Sequence, residues 1–82
     1  MSNTLILFGG AHCSGCKRMS AMLDNADVKY KYYDVEEYPT KAQIYNVGGL
    51  PTIFILGADG KPKDSMVGMV DLHTIKRLLA VQ

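Results

Sequence analysis

The sequence predicts a single α/β domain: a four-stranded mixed sheet with helices on its faces, in the order β-α-β-α-β-β-α. Three observations predict it. The apolar run Thr4-Leu5-Ile6-Leu7-Phe8 is followed by helical spacing at Cys16, Met19 and Leu23, then by alternation at Val28, Tyr30 and Tyr32. A second β-prone run, Thr52 to Leu56, leads into a turn at Ala58-Asp59-Gly60-Lys61 and a return strand. The chain has 82 residues, 48% of them hydrophobic, which supports one core and one domain over residues 1–82.

Taken in order, Leu5 to Phe8 are apolar on both faces, as a central parallel strand requires. Gly9-Gly10-Ala11-His12 is a loop, without the G-x-G-x-x-G spacing of a phosphate cradle. A helix over Ser14–Asn25 turns Met19, Met22, Leu23 and Ala26 inward, and Asp24-Asn25-Ala26-Asp27 is a turn. Val28, Tyr30 and Tyr32 alternate with Lys29 and Lys31, so a second strand is expected there. Pro39-Thr40 opens a short helix with Ala42, Ile44 and Tyr45 on its apolar side and Gly48-Gly49 at its end. Thr52 to Leu56 and the segment around Ser65–Val67 form a hairpin. Asp71 caps a last helix with Leu72, Ile75, Leu78 and Leu79 inward. The first β-α-β unit requires a right-handed crossover and a parallel pair.

Composition narrows the function classes. A net charge of +1 gives no electrostatic basis for binding nucleic acid or a membrane surface. No apolar stretch approaches the roughly 20 residues of a membrane span. Met1-Ser2-Asn3-Thr4 has neither a basic region nor a cleavage pattern, so a cytoplasmic setting with reduced thiols is expected.

The chemistry is concentrated in Cys13-Ser14-Gly15-Cys16, which stands after a strand and at the start of a helix. Disulfide exchange needs one accessible thiolate and a second thiol close enough to resolve the mixed disulfide. A helix N-terminus stabilises negative charge, and the pKa of a cysteine so placed can fall to roughly 3.5–7.5 from about 8.5 when free. Cys13, at the helix tip, is expected to attack. Cys16, one turn further in, is expected to release the product. Three other uses compete. Structural zinc wants four ligands, and only His12 and His73 could join the pair. An iron–sulfur cluster bridging a dimer also takes four thiolates. The thiols could also be incidental to a binding module. His12 is either a cation beside Cys13 or a loop residue facing solvent. Lys17 and Arg18 either raise the local potential or form a solvated helix face. Met66 and Met69 either line a soft substrate surface or fill the core. Tyr30, Tyr32 and Tyr33 most simply pack the sheet.

From Thr4 to about Leu79 these residues resemble the thioredoxin/glutaredoxin superfamily, most closely at Asp34-Val35-Glu36-Glu37-Tyr38-Pro39 and Tyr45-Asn46-Val47-Gly48-Gly49-Leu50-Pro51-Thr52. The resemblance implies the thioredoxin-like fold. It implies a catalytic pair, Cys13 and Cys16, facing a cis Leu50–Pro51 bond, with Leu50 offering its backbone to an extended client segment. Gly68 resembles the family glycine that keeps the groove open, and Asp59-Gly60 the family hairpin turn. The implied substrate surface is His12, Ser14, Leu50, Pro51, Gly68 and Met69, with no metal ligand.

The departures are specific. The N-terminal strand and helix of full thioredoxins are missing, so the size is that of a glutaredoxin. His12 stands where thioredoxins usually carry Trp, and Ser14-Gly15 contains no proline. Leu7 and Tyr32 take the places of the family's buried Asp and its Lys neighbour, so water or another carboxylate must accept the Cys16 proton. Glutaredoxins typically show Thr-Val-Pro where this chain has Gly49-Leu50-Pro51, and a second glycine where it has Met69, although Asp71 still fits their first acidic position.

The expected function is therefore a monomeric dithiol–disulfide oxidoreductase acting on disulfide-containing client proteins. The thiols carry the electrons without an organic cofactor, and thioredoxin reductase or glutathione recharges them. The alternatives are a glutathione-dependent, glutaredoxin-type enzyme and a redox-inert interaction module of the same fold.

Overall fold

The computed structural model describes residues 3–81, with β1 (Thr4–Gly9), α1 (Ser14–Asn25), β2 (Lys31–Asp34), α2 (Pro39–Ile44), β3 (Thr52–Leu56), β4 (Pro62–Val67) and α3 (Leu72–Ala80). Met1 and Ser2, part of the segment read for a leader pattern, lie outside the described residues. The element order and the mixed sheet are those expected. The strands stand in the order β2-β1-β3-β4, with β1 parallel to β2 and antiparallel to β3, and β3 antiparallel to β4.

Alternation along the two inner strands divides the core between the faces of the sheet. Leu7 pairs with Ile53 and Leu5 with Ile55. Their side chains meet Met19 and Leu23 of α1 and Ile75 of α3, all fully buried. Ile6 pairs with Phe54, and Phe8 with Thr52, on the opposite face. There Phe8 meets Tyr33, Tyr45 and Phe54 at centroid distances of 5.3–5.8 Å. Tyr38 and Tyr45, which flank α2, close this aromatic layer, and the Lys41 ammonium sits 4.7 Å from the Tyr33 ring.

Three boundaries differ from the sequence reading. The second strand begins at Lys31 rather than Val28 and runs to Asp34. Val28 and Tyr30 do alternate inward, but they precede the ladder, which starts at Ile6↔Lys31. The strand around Ser65–Val67 extends back to Pro62, with a register shift between Ile55 and Leu56. α2 ends at Ile44 because Asn46 takes the left-handed conformation, φ +56°, so Gly48-Gly49 is not its terminator. Ile44 is not on an apolar side: it is 75% exposed, because a helix this short presents only one edge to the aromatic layer.

Candidate active site

β1 ends in a tight reversal in which the Cys13 N–H donates to the Gly10 carbonyl at 3.3 Å. Cys13 is the N-cap of α1, with extended backbone, and its Sγ accepts the Cys16 N–H at 3.1 Å. The first N–H groups of a helix have no partner inside it, so this sulfur occupies a position that satisfies an orphan donor and favours negative charge. Cys13 and Cys16 are joined as a disulfide, with Cα atoms 5.3 Å apart. Cys13 is half-buried, whereas Cys16 is 1% exposed beneath the helix tip.

The loop before β3 brings Pro51 against this tip. The Leu50–Pro51 bond is cis, in keeping with the resemblance. A methyl group added at Gly15 would lie 3.3 Å from Pro51 Cδ and 3.5 Å from Met69 Sδ, so both side chains close over the middle of the cysteine tetrapeptide. Gly68 holds φ +95° and donates its N–H to the Pro51 carbonyl at 2.8 Å, tying the start of β3 to the end of β4. The structure thus brings Pro51 and Met69 to Gly15, between the two cysteines, and ties Gly68 to Pro51. Met69 is 54% exposed there, while Met66 packs partly into the core.

A cavity of about 220 Å³ opens on the Cys13 side, lined by His12, Cys13, Glu36 and Leu50 with Gly10 and Val35. Leu50 Cδ1 would lie 3.2 Å from a Cβ on Gly10. Ser14 is exposed at the first position of α1, with no described contact to the other candidates. Glu36 is a cavity residue that the sequence alone does not place beside Cys13. The Asp34-Val35-Glu36 string matched the family pattern, but only the fold carries it from the end of β2 to the cysteine loop.

Two further positions bear on proton handling. Leu7 is fully buried in the core and carries no titratable group. Its register partner is Tyr32, whose hydroxyl would sit 2.5 Å from a Cβ on Gly9, so glycine there makes room for the phenol. Burial first, and Asp34 second, push the Tyr32 phenol up. It remains a neutral hydroxyl at ordinary pH, able to donate a hydrogen bond but unsuited to accept a proton from a thiol. Among the described residues, no group of three or more His, Cys, Asp and Glu side chains is placed to hold a metal ion. No described helix is long and apolar enough to cross a membrane.

Comparison with known proteins agrees with this geometry. The thioredoxin family model matches residues 1–81. A thioredoxin of Chlamydia caviae is 30% identical over 80 residues, spanning 92% of this chain and 78% of that protein. One of Staphylococcus aureus is 28% identical over 81 residues, spanning 92% and 77%. Among solved structures, a point-mutant thioredoxin from Halobacterium salinarum superposes with a TM-score of 0.83 at 27% identity, covering 94% of this chain and 71% of its own. Mitochondrial thioredoxin 3 from Saccharomyces cerevisiae, in its oxidised form, does so with a TM-score of 0.76 at 26% identity, covering 94% and 76%. With a cysteine pair at the head of α1 and these relatives, the chain belongs to the thioredoxin family of thiol–disulfide oxidoreductases.

Proposed function

We propose that this protein reduces disulfides of client proteins, with Cys13 attacking and Cys16 resolving, and that thioredoxin reductase rather than glutathione recharges it. The observation that carries the direction of attack is the asymmetry of the pair. Cys13 Sγ takes a helix N-terminal N–H and is partly open to solvent, whereas Cys16 is 1% exposed. In the reduced protein the Cys13 thiolate attacks one sulfur of the client disulfide. A Cys13–client disulfide forms, and the other client sulfur leaves and takes up a proton. Cys16 then loses its proton and attacks Cys13 Sγ, forming the internal disulfide and releasing the second client thiol. Two electrons and two protons pass to the client, and no organic cofactor enters.

Two features support the reductase over glutathione. Met69 stands over Gly15, where a tripeptide lying along the groove would meet its side chain. Asp71, the remaining acidic position for the charged amine of glutathione, is engaged elsewhere: one oxygen accepts the Thr74 N–H at 3.3 Å and the other the Thr74 hydroxyl at 2.6 Å. In this reading the protein works as a monomer in the cytoplasm, where thiols are kept reduced.

The test compares turnover of insulin disulfides at equal protein concentration under two recycling systems, NADPH with thioredoxin reductase and glutathione with its reductase. Turnover with the first is expected to exceed that with the second by about tenfold, the scale of one well-made charged contact. Faster turnover that saturates in glutathione would replace this reading with a glutaredoxin-type enzyme. No reduction with either system or with dithiothreitol would leave a redox-inert interaction module.

A further inference from the structure

We propose that the cavity beside Cys13 selects the charge of the client, with the Glu36 carboxylate receiving a lysine or arginine side chain that flanks the client's reactive cysteine. The inference rests on Cys13 being the attacking thiol. Three observations converge on it. Cys13 and Glu36 line the same cavity, so a residue beside a client cysteine bonded to Cys13 enters the space that the carboxylate borders. Its volume, about 220 Å³, is several times the ~30 Å³ share of one water in the liquid and leaves room for one long side chain. Its remaining wall is apolar or uncharged at Gly10, Val35 and Leu50, and suits the aliphatic stem of lysine or arginine better than a second charge.

The cavity is one-signed in its acidic and strongly basic side chains. Lys17 and Arg18 lie on α1 outside it, and His12 is the other titratable side chain on its wall besides Cys13. An acidic residue next to the client cysteine would meet Glu36 without compensation, so selection works by repulsion as well as by attraction. Glu37, the next residue, lines a different cavity with Tyr38, Lys41 and Ile44. The two neighbouring carboxylates therefore separate a local effect from the field of the whole surface.

The experiment uses the full chain in its reduced form and three looped peptides, each closed by one disulfide. The peptides differ only in the residues flanking the attacked cysteine, which are Lys, Ala or Glu. Single-turnover rates are read by acid quench and mass spectrometry. The Lys peptide is expected to react about fivefold faster than the Glu peptide at low salt, with the Ala peptide between them and the spread narrowing as salt rises. Glu36→Gln is expected to bring the Lys-to-Glu ratio within about twofold of unity, and Glu37→Gln to keep it. The proposal is overturned by a wild-type ratio near one, by a ratio that survives Glu36→Gln, or by a ratio that Glu37→Gln removes equally. Failure to reduce even the Ala peptide would instead remove the redox reading beneath it.

Discussion

Cys13 occupies a backbone position that favours a thiolate over a thiol. As the N-cap of α1 it is the residue whose side chain the unpaired N–H groups of the first turn can reach, and it reaches the Cys16 N–H. Cys16 is fully buried, 1% exposed, and in this structure is bonded to Cys13. Replacing Cys16 by serine is expected to stop the second step, so that a client remains attached through Cys13 and is recovered as a mixed disulfide by mass spectrometry. In the reduced wild-type protein, iodoacetamide at pH 6 is expected to label Cys13 faster than Cys16 by roughly tenfold or more. Preferential labelling of Cys16 would reverse the assignment of attacker and resolver.

At the scale of elements, α1 and α3 each begin at a residue whose side chain caps the first turn, whereas α2 has no side-chain cap. α1 needs Cys13 as a cap, and α3 needs Asp71, whose side chain accepts the Thr74 N–H and hydroxyl. Those bonds, the hydroxyl first, hold the Asp71 carboxyl below the usual carboxylate range. A lowered folded pKa means that protonation favours the unfolded chain. The stabilisation from this cap is therefore complete above the ordinary carboxylate pKa of about 3.9 and is lost as pH falls through the lower folded value. Asp71→Asn retains a capping oxygen and is expected to weaken the acid-side fall in melting temperature. Asp71→Ala is expected to lower the melting temperature at neutral pH. An unaltered acid limb in Asp71→Asn, followed by circular dichroism from pH 6 to pH 2, would remove Asp71 from the acid transition.

At the scale of the molecule, one layer carries most of the burial. Leu5, Leu7, Met19, Leu23, Ile53, Ile55 and Ile75 form a continuous cluster between the sheet and the helices α1 and α3. A chain of this size is expected to have a stability of ~4–12 kcal/mol. Ile75 is fully buried and is the single buried residue of α3, so it anchors that helix to the sheet. Ile75→Ala is expected to cost about 2–5 kcal/mol and Ile75→Val about 0.5–1.5 kcal/mol. Urea denaturation of both variants measures this. A loss below about 1 kcal/mol for the alanine variant would show that α3 is held elsewhere, for instance by the Asn3 amide that reaches the carbonyls of Leu78, Leu79 and Val81.

Local pattern was enough for the elements and for the cysteine pair. Ser14–Asn25 is the span of α1 in both readings, because periodicity and a turn at Asp24–Asp27 are short-range properties. The hairpin was legible from Asp59-Gly60, since Gly60 adopts φ +80° where other residues resist it. Contacts between distant segments settled the rest. Where β2 begins depends on which residues β1 offers for pairing, so alternation from Val28 could not locate it. Ile44 reads as inward from its spacing, but its exposure is decided by how much of the aromatic layer a short α2 can cover. The surroundings of the cysteine pair are likewise tertiary. Gly15, Pro51 and Met69 come from three separate segments, and Glu36 from a fourth, and chain spacing carries no information about their approach. Reactive residue types are written in the sequence, while the side chains that surround them are chosen by packing between elements far apart along the chain.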